Sequence, residues 1–330
     1  MATGLLVSSR SQGVPRQAPV FAVEPTLAMP VQHDCIQSPT FAVRMRMDAQ
    51  RKMGTDDVTL RTIAIQAELT DIRNWMDDFS AAPPSVTGVL GLHAGWHGAR
   101  GDLAMTKSAI PFSHFNMVMN LGCPAIVDDA AFEAIEKLYA GNRHWVVVND
   151  HCQPPDLGEL LLARGYQRVG AWDRVLLRGA RPDLWAAHAA GVELVGANNM
   201  ADWSGFICQA YGMPPPIAMW LQALVDRKGW THAMLRGSDA KVVMARSLYR
   251  VDDGWAWLGI DAPVPGIMAP SFAQDRRVIA ALLMHAAKAG THSFVSDIEA
   301  PSPTRQGPGY ECWESLGFRP EYQRRLFSKA

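Results

Sequence analysis

Residues 309–318 read Gly-Tyr-Glu-Cys-Trp-Glu-Ser-Leu-Gly-Phe, and how that stretch ends decides the fold. A helix that reaches Leu316 stops at Gly317, which enters a left-handed turn without steric cost, and Phe318 then plugs the core as the chain re-enters a sheet. The same ending occurs earlier. Residues 160–166, Leu-Leu-Leu-Ala-Arg-Gly-Tyr, close another short helix at Gly165 and return on Tyr166.

Working outward from the two endings, an order of elements repeats. In the first half a strand-like run at 115–122 (FNMVMNLG) leads through Asp128-Asp129 into a helix ending near Ala140. A buried-strand run at 145–150, a short helix at 156–164 and an alternating strand at 168–178 follow. In the second half a strand at 254–261 (GWAWLGID), a helix at 274–289, a strand at 292–298 and the helix closing at Leu316 keep that order. A strand at 192–197, helices around 201–211 and 217–227, and strands at 230–236 and 241–251 joined across Gly237-Ser238-Asp239 precede this second copy. The pattern predicts an α/β protein made of two tandem mixed-sheet domains, the first degenerate. Two unrelated α/β segments sharing a common helix stop are the alternative.

Upstream, Leu60, Ile63, Ala64, Ala67, Ile72 and Trp75 recur at helical spacing, which predicts an amphipathic helix over 58–80, capped by Asp57 and closed before Pro83-Pro84. Residues 1–57 are rich in Pro, Ser, Gln and Met without a period and read as an irregular arm. The expected division is therefore an arm at 1–57, a first domain at 58–180 and a second at 191–330.

Composition narrows the function classes. Of 330 residues 48% are hydrophobic and 19% charged, with 31 Lys+Arg against 32 Asp+Glu, which fits a globular chain and argues against nucleic-acid binding through bulk charge. The apolar helical stretches are interrupted by Arg, Asp, His or Lys, so no membrane span is expected. Five scattered cysteines without a C-x-x-C pair predict a reducing, cytoplasmic setting with neither a disulfide framework nor a structural zinc site.

The second half resembles the GNAT superfamily of N-acetyltransferases, an α/β fold that binds acyl-coenzyme A where two central strands splay. The stretch 211–221 (YGMPPPIAMWL), the Leu258-Gly259 strand, and Tyr310 followed by Leu316-Gly317-Phe318 are similar to a tandem bacterial branch of that superfamily. Phe115-Asn116, Leu121-Gly122, Leu160-Leu161 and Arg164-Gly165-Tyr166 resemble the degenerate amino-terminal copy of the same branch. The resemblance implies acetyl-CoA or another acyl-CoA as co-substrate, no metal, and transfer of an acyl group to a small amine or amino-acid-like acceptor; a non-catalytic acyl-CoA sensor or scaffold is the alternative.

It also implies site residues. Backbone at Leu258, Gly259 and Ile260 would meet the pantetheine amide and the thioester carbonyl. The pyrophosphate loop falls on Gln274, Asp275, Arg276, Arg277, Val278 and Ile279, where the family has small residues at the positions of Arg277 and Ile279; Arg276 and Arg277 would then replace backbone donors by charge-assisted pairing. Asp261 is either the base that takes the amine proton or a turn carboxylate before Pro263, and Asp297 and Glu299 face the same choice. Trp313 occupies the family's frequent position for a proton-donating Tyr, and Tyr310, one turn earlier, is either the general acid or a rim residue. Trp220 is read as core or as acceptor-pocket wall. His93 and His97, four apart but among Gly91, Gly95 and Gly98, are assigned to a loop without metal.

Overall fold

The computed structural model describes residues 42–98, 101–263 and 272–330, with side chains from Thr59 onward. Helix α1 (Ala42–Ala81) starts well before Asp57, so the expected irregular arm is helical from Ala42 on. The reason is local: 42–57 contains no proline and is dominated by Ala, Arg, Met, Gln and Lys, unlike the proline-bearing residues before it. The first half continues with α2 (Pro84–Leu90), β1 (His93–His97), β2 (Leu103–Lys107), β3 (Met117–Met119), α3 (Asp129–Tyr139), β4 (His144–Asn149), α4 (Leu157–Ala163) and β5 (Gln167–Arg178). The second half comprises α5 (Pro182–Ala186), β6 (Val192–Leu194), α6 (Met200–Tyr211), α7 (Pro215–Ala223), β7 (Trp230–Arg236), β8 (Val242–Arg250), β9 (Trp255–Pro263), α8 (Phe272–Lys288), β10 (Ser293–Ile298), α9 (Pro308–Ser315) and β11 (Arg319–Lys329).

All described strands join one sheet in the order β1-β2-β3-β4-β11-β5-β10-β9-β8-β7-β6. Within each half the corresponding strands pair in parallel, β3 with β4 and β9 with β10. The last strand of each half then crosses over: β5 pairs antiparallel with β10, and β11 pairs antiparallel with β4. Side by side at the centre, β5 and β11 pair antiparallel with each other, Trp172 opposite Arg324. Because each half lends its last strand to the other, the expected separation at 180–191 is not seen as a break, and Met53–Ala330 forms one compact unit.

The two decisive helix endings are built alike. Gly165 N–H donates to Leu162 O and Tyr166 N–H to Leu161 O, while Gly317 N–H donates to Glu314 O and Phe318 N–H to Trp313 O. The glycines stand at φ 85° and 98°, a region closed to most side chains. Tyr166 and Phe318 are both buried.

Helices α1, α2, α6 and α7 pack on one face of the sheet, over Ala104, Met117, Trp172, Met234, Ala245 and Val295 among others. On the opposite face α3 and α4 cover Val118, Val146 and Phe327, and α5, α8 and α9 cover Val175, Leu258 and Phe294. No described helix is long and apolar enough to cross a membrane.

Candidate active site between the splayed strands

β9 and β10 are in register only at Trp255 with Ser293, Ala256 with Phe294 and Trp257 with Val295. Beyond Trp257 they part. Past that point the Ser296 hydroxyl donates to the Leu258 carbonyl at 2.9 Å, in place of a strand ladder. The other edge of β9 carries a bulge: Ser247 of β8 faces Gly259 and Arg246 faces Asp261, leaving Ile260 as the extra residue at φ 40°. A β-branched residue in that region costs about 1–3 kcal/mol and persists only where its surroundings impose it. At the neighbouring Gly259 a side chain has no room, since a Cβ there would run into the Trp257 indole.

Arg246, buried beneath the first turn of α8, donates from Nε and Nη2 to Asp275 at 2.9 and 3.0 Å and lies 3.3 Å from Asp261 Oδ2. The charge that Asp275 brings to the entrance of α8 is thereby matched by a bidentate partner. Tyr211, the last residue of α6, donates its hydroxyl to the Asp261 carbonyl at 2.6 Å and fixes the end of β9 from the other face.

The first half contributes an aromatic wall. His114, from the turn Ser113–Phe115, stacks on Trp172 with ring centroids 4.9 Å apart, and its Nε2 lies 3.5 Å from Glu299 Oε1, just past the end of β10. An open hollow of about 570 Å³ between the loop after β10 and the start of β5 is lined by Gly170, Ala171, Pro301, Ser302 and Gln323, with Arg168 at its rim.

Behind the splay lies a buried ionic cluster. Arg174 of β5 and Arg324 of β11 both contact Glu68 and Asp71 of α1 and Asp297 of β10, at 2.6–3.2 Å, and Tyr322 donates to Glu68 Oε1 at 2.8 Å. Burial disfavours the Glu68 anion, but the two guanidiniums outweigh it and hold the carboxyl below its usual range. Asp297 shifts the other way, pushed up by burial in spite of the same arginines. Trp257, whose ring lies 4.8 Å from the Arg174 guanidinium, links this cluster to the splay.

The residues expected at the site separate into groups. Leu258, Gly259, Ile260 and Asp261 lie where β9 opens. Tyr310 is buried in α9 in the same core cluster as Leu258, donates to Asp173 Oδ2 at 2.7 Å, and has its hydroxyl pushed up to about 12 by burial and by that bond. α8 begins at Phe272, close to the start expected at Gln274, so Gln274–Ile279 lies within its first turns. The side chains of Val278 and Ile279 are buried in the core beneath α8. Arg277 is occupied, both Nε and Nη2 donating to the Ala190 carbonyl. Arg276 keeps an Nε without a hydrogen-bond partner. Trp220 is core, donating to Asp78 O at 2.7 Å and packed edge-on against Phe79. His93 and His97 stand on a strand, not in a loop.

Sequence reasoning missed Arg246, Ser296 and the meeting of His114 with Glu299. A buried Arg on an alternating strand marked the first. Nothing local marked the last, because its two sides come from different halves.

The first half also has a parallel strand pair that ends early. β3 and β4 pair at Met117 with Trp145 and Val118 with Val146, but the gap beyond is bridged by Gln153 N–H donating to Gly122 O at 2.8 Å. The entrance of α3 is filled by its own carboxylate, Asp128 Oδ1 accepting from Ala131 N–H, with Asp129 beside it.

Neither a protein-family model nor a curated protein gives a significant match to the sequence. Solved structures with a similar course of the chain include a GCN5-related N-acetyltransferase from Sphaerobacter thermophilus, 14% identical over 60% of this chain and 65% of that one, less than two thirds of its length, with a TM-score of 0.45. A GCN5-related N-acetyltransferase from Kribbella flavida is 13% identical over 76% of this chain and 93% of its own, at a TM-score of 0.47. A tandem GNAT protein from the clavulanic acid biosynthesis pathway is 12% identical over 61% and 69%, at 0.43.

Proposed function

We propose that the chain is an acyl-CoA-dependent N-acyltransferase with a tandem acetyltransferase-like architecture, in which the second half works and the first is a degenerate partner. The parting of β9 from β10 after Trp257, with the strained bulge at Ile260, carries this reading. A pantetheine arm would add its amides to the open edge at Leu258–Ile260, and backbone N–H groups there would polarise the thioester carbonyl as charge develops. The first turn of α8, with Arg276 beside it, would face the pyrophosphate. In the first half the bridge from Gln153 to Gly122 and the carboxylates at the entrance of α3 oppose the same ligand.

The acceptor would be a small amine entering through the hollow beside Pro301–Pro303. Asp261 shares Arg246 with Asp275, so its charge is largely spent on the guanidinium. Glu299, exposed to solvent and facing His114, is the better base for the ammonium proton. A second reading, a non-catalytic acyl-CoA binder, draws support from Tyr310, whose proton is already committed to Asp173.

Titration calorimetry with acetyl-CoA and longer acyl-CoAs, followed by turnover assays on a panel of amines, tests both. Saturable binding with turnover that falls about 100-fold or more in Glu299→Gln supports the enzyme. Tight binding without turnover on any amine supports the binder, and absence of binding removes both.

A further inference from the structure

At the far edge of the sheet, β1 reads His93-Ala94-Gly95-Trp96-His97 and pairs only with β2. Four residues of extended chain separate the backbones of His93 and His97 by roughly 13 Å. Their rings nevertheless lean toward each other over Gly95, with centroids 5.3 Å apart and the two Nε2 atoms 3.2 Å apart. Gly95 makes this meeting possible. A Cβ at that position would stand 3.2 Å from the His97 Nε2 and 3.6 Å from the His93 Nε2, in the space the two nitrogens share.

Two imidazoles held this way are chemically redundant as a hydrogen-bonded pair, because one ring must carry its proton on Nδ1 to accept from the other. As a donor set they are well matched to a metal ion. Bonds of about 2.0–2.1 Å meeting near the tetrahedral angle place two ligand nitrogens about 3.3 Å apart. We propose that His93 and His97 form a bidentate site for a borderline divalent transition-metal ion, of the Cu2+, Ni2+ or Zn2+ class, on the exposed edge strand of the first half. Neutral imidazole suits these ions, and with only two protein ligands the remaining positions are left to water or to a small anionic ligand. Among the described residues no third His, Cys, Asp or Glu completes the set. The site is independent of the acyl-transfer reading, lying on the edge strand of the half that reading leaves without chemistry.

The test is calorimetric titration of the full chain, free of any polyhistidine tag, with CuCl2 and then ZnCl2, beside His93→Ala, His97→Ala, Gly95→Ala and the His93→Ala/His97→Ala double variant. The wild type should bind one equivalent, Cu2+ more tightly than Zn2+. Each single His variant should lose at least about tenfold in affinity, because the chelating second nitrogen is gone. Gly95→Ala should weaken binding by crowding the ion. The Cu2+-loaded wild type should give an electron paramagnetic resonance spectrum with coupling to two nitrogens, and the double variant should not. Equal affinity in the wild type and the folded double variant, checked by circular dichroism, would overturn the proposal, as would a wild type that takes up no ion at 100-fold excess. In that case the pair is only a surface hydrogen bond.

Discussion

The Tyr310 hydroxyl donates to Asp173 Oδ2 at 2.7 Å, between residues 137 apart in the chain, and that bond commits the proton a general acid would have to release. With the hydroxyl pushed up to about 12, Tyr310 stays protonated at neutral pH yet is poorly matched to a departing thiolate. Tyr310→Phe is therefore expected to cost about 1–3 kcal/mol in denaturant unfolding, since it leaves the buried Asp173 short of a donor, while turnover stays within tenfold of wild type. Steady-state kinetics showing a 100-fold fall at unchanged acyl-CoA affinity would restore Tyr310 as the acid.

Arg276 and Arg277 differ in what holds them. Arg277 is spent on the Ala190 carbonyl, whereas Arg276, one residue earlier in α8, has no such carbonyl partner for its Nε, which is buried. Arg276→Glu should weaken acyl-CoA binding by about 10- to 100-fold through loss of a charge-assisted contact and added repulsion. Arg277→Glu should lower the melting temperature and change affinity less. The reverse ranking in a calorimetric titration would exchange their roles.

Arg174 sits among three carboxylates without access to water. Arg174→Met strands two or more of those charges and should destabilise the protein by about 3–5 kcal/mol. Adding Asp297→Asn should recover part of the loss, because the amide removes one surplus negative charge. No recovery in chemical denaturation would mean that Asp297 already carries its proton through the whole pH range tested.

Asp78, buried near the end of α1, is pushed up to about 8 by burial and by neighbouring Asp77, with Arg227 and Trp220 pulling back less strongly. The folded protein keeps this carboxyl neutral up to that pH, whereas the unfolded chain ionises it near 4. Folding therefore takes up a proton between the two, and the stability it contributes is full below about pH 4 and is lost as pH rises to about 8. Asp78→Asn should melt above wild type at pH 8, with the gap shrinking toward pH 4. Parallel melting curves across that range would show an ionised Asp78.

How far the sequence discloses this molecule depends on which property is read. Periodicity and the glycine endings fix each element and the face it buries, so β4, α4, β5 and α8, β10, α9 are legible in their order. Neighbours are not. An alternating strand such as β5 presents the same pattern whether it returns beside β4 or crosses to β10, so the exchange with β11 leaves no local mark. The candidate site follows the same rule: Leu258–Asp261 was singled out by its resemblance to a known strand, with no local sign of the bulge, and the His114–Glu299 pair was not found because it needs both halves in place. The helix expected from Gln274 starts two residues earlier, at Phe272, because a helix of good formers extends toward its first favourable start, and the residues likened to a pyrophosphate loop therefore lie inside α8.

The crossing of the last strands also sets an order in time. β4 is made long before its neighbour β11, and until that neighbour leaves the ribosome the first half presents the edge of β4 without its partner. β5 in turn waits on both β10 and β11. Completion of the first half therefore belongs to the final moments of synthesis, and a polypeptide released before Arg319 would leave both halves with an open edge, a substrate for chaperones and proteases instead of a shortened working protein.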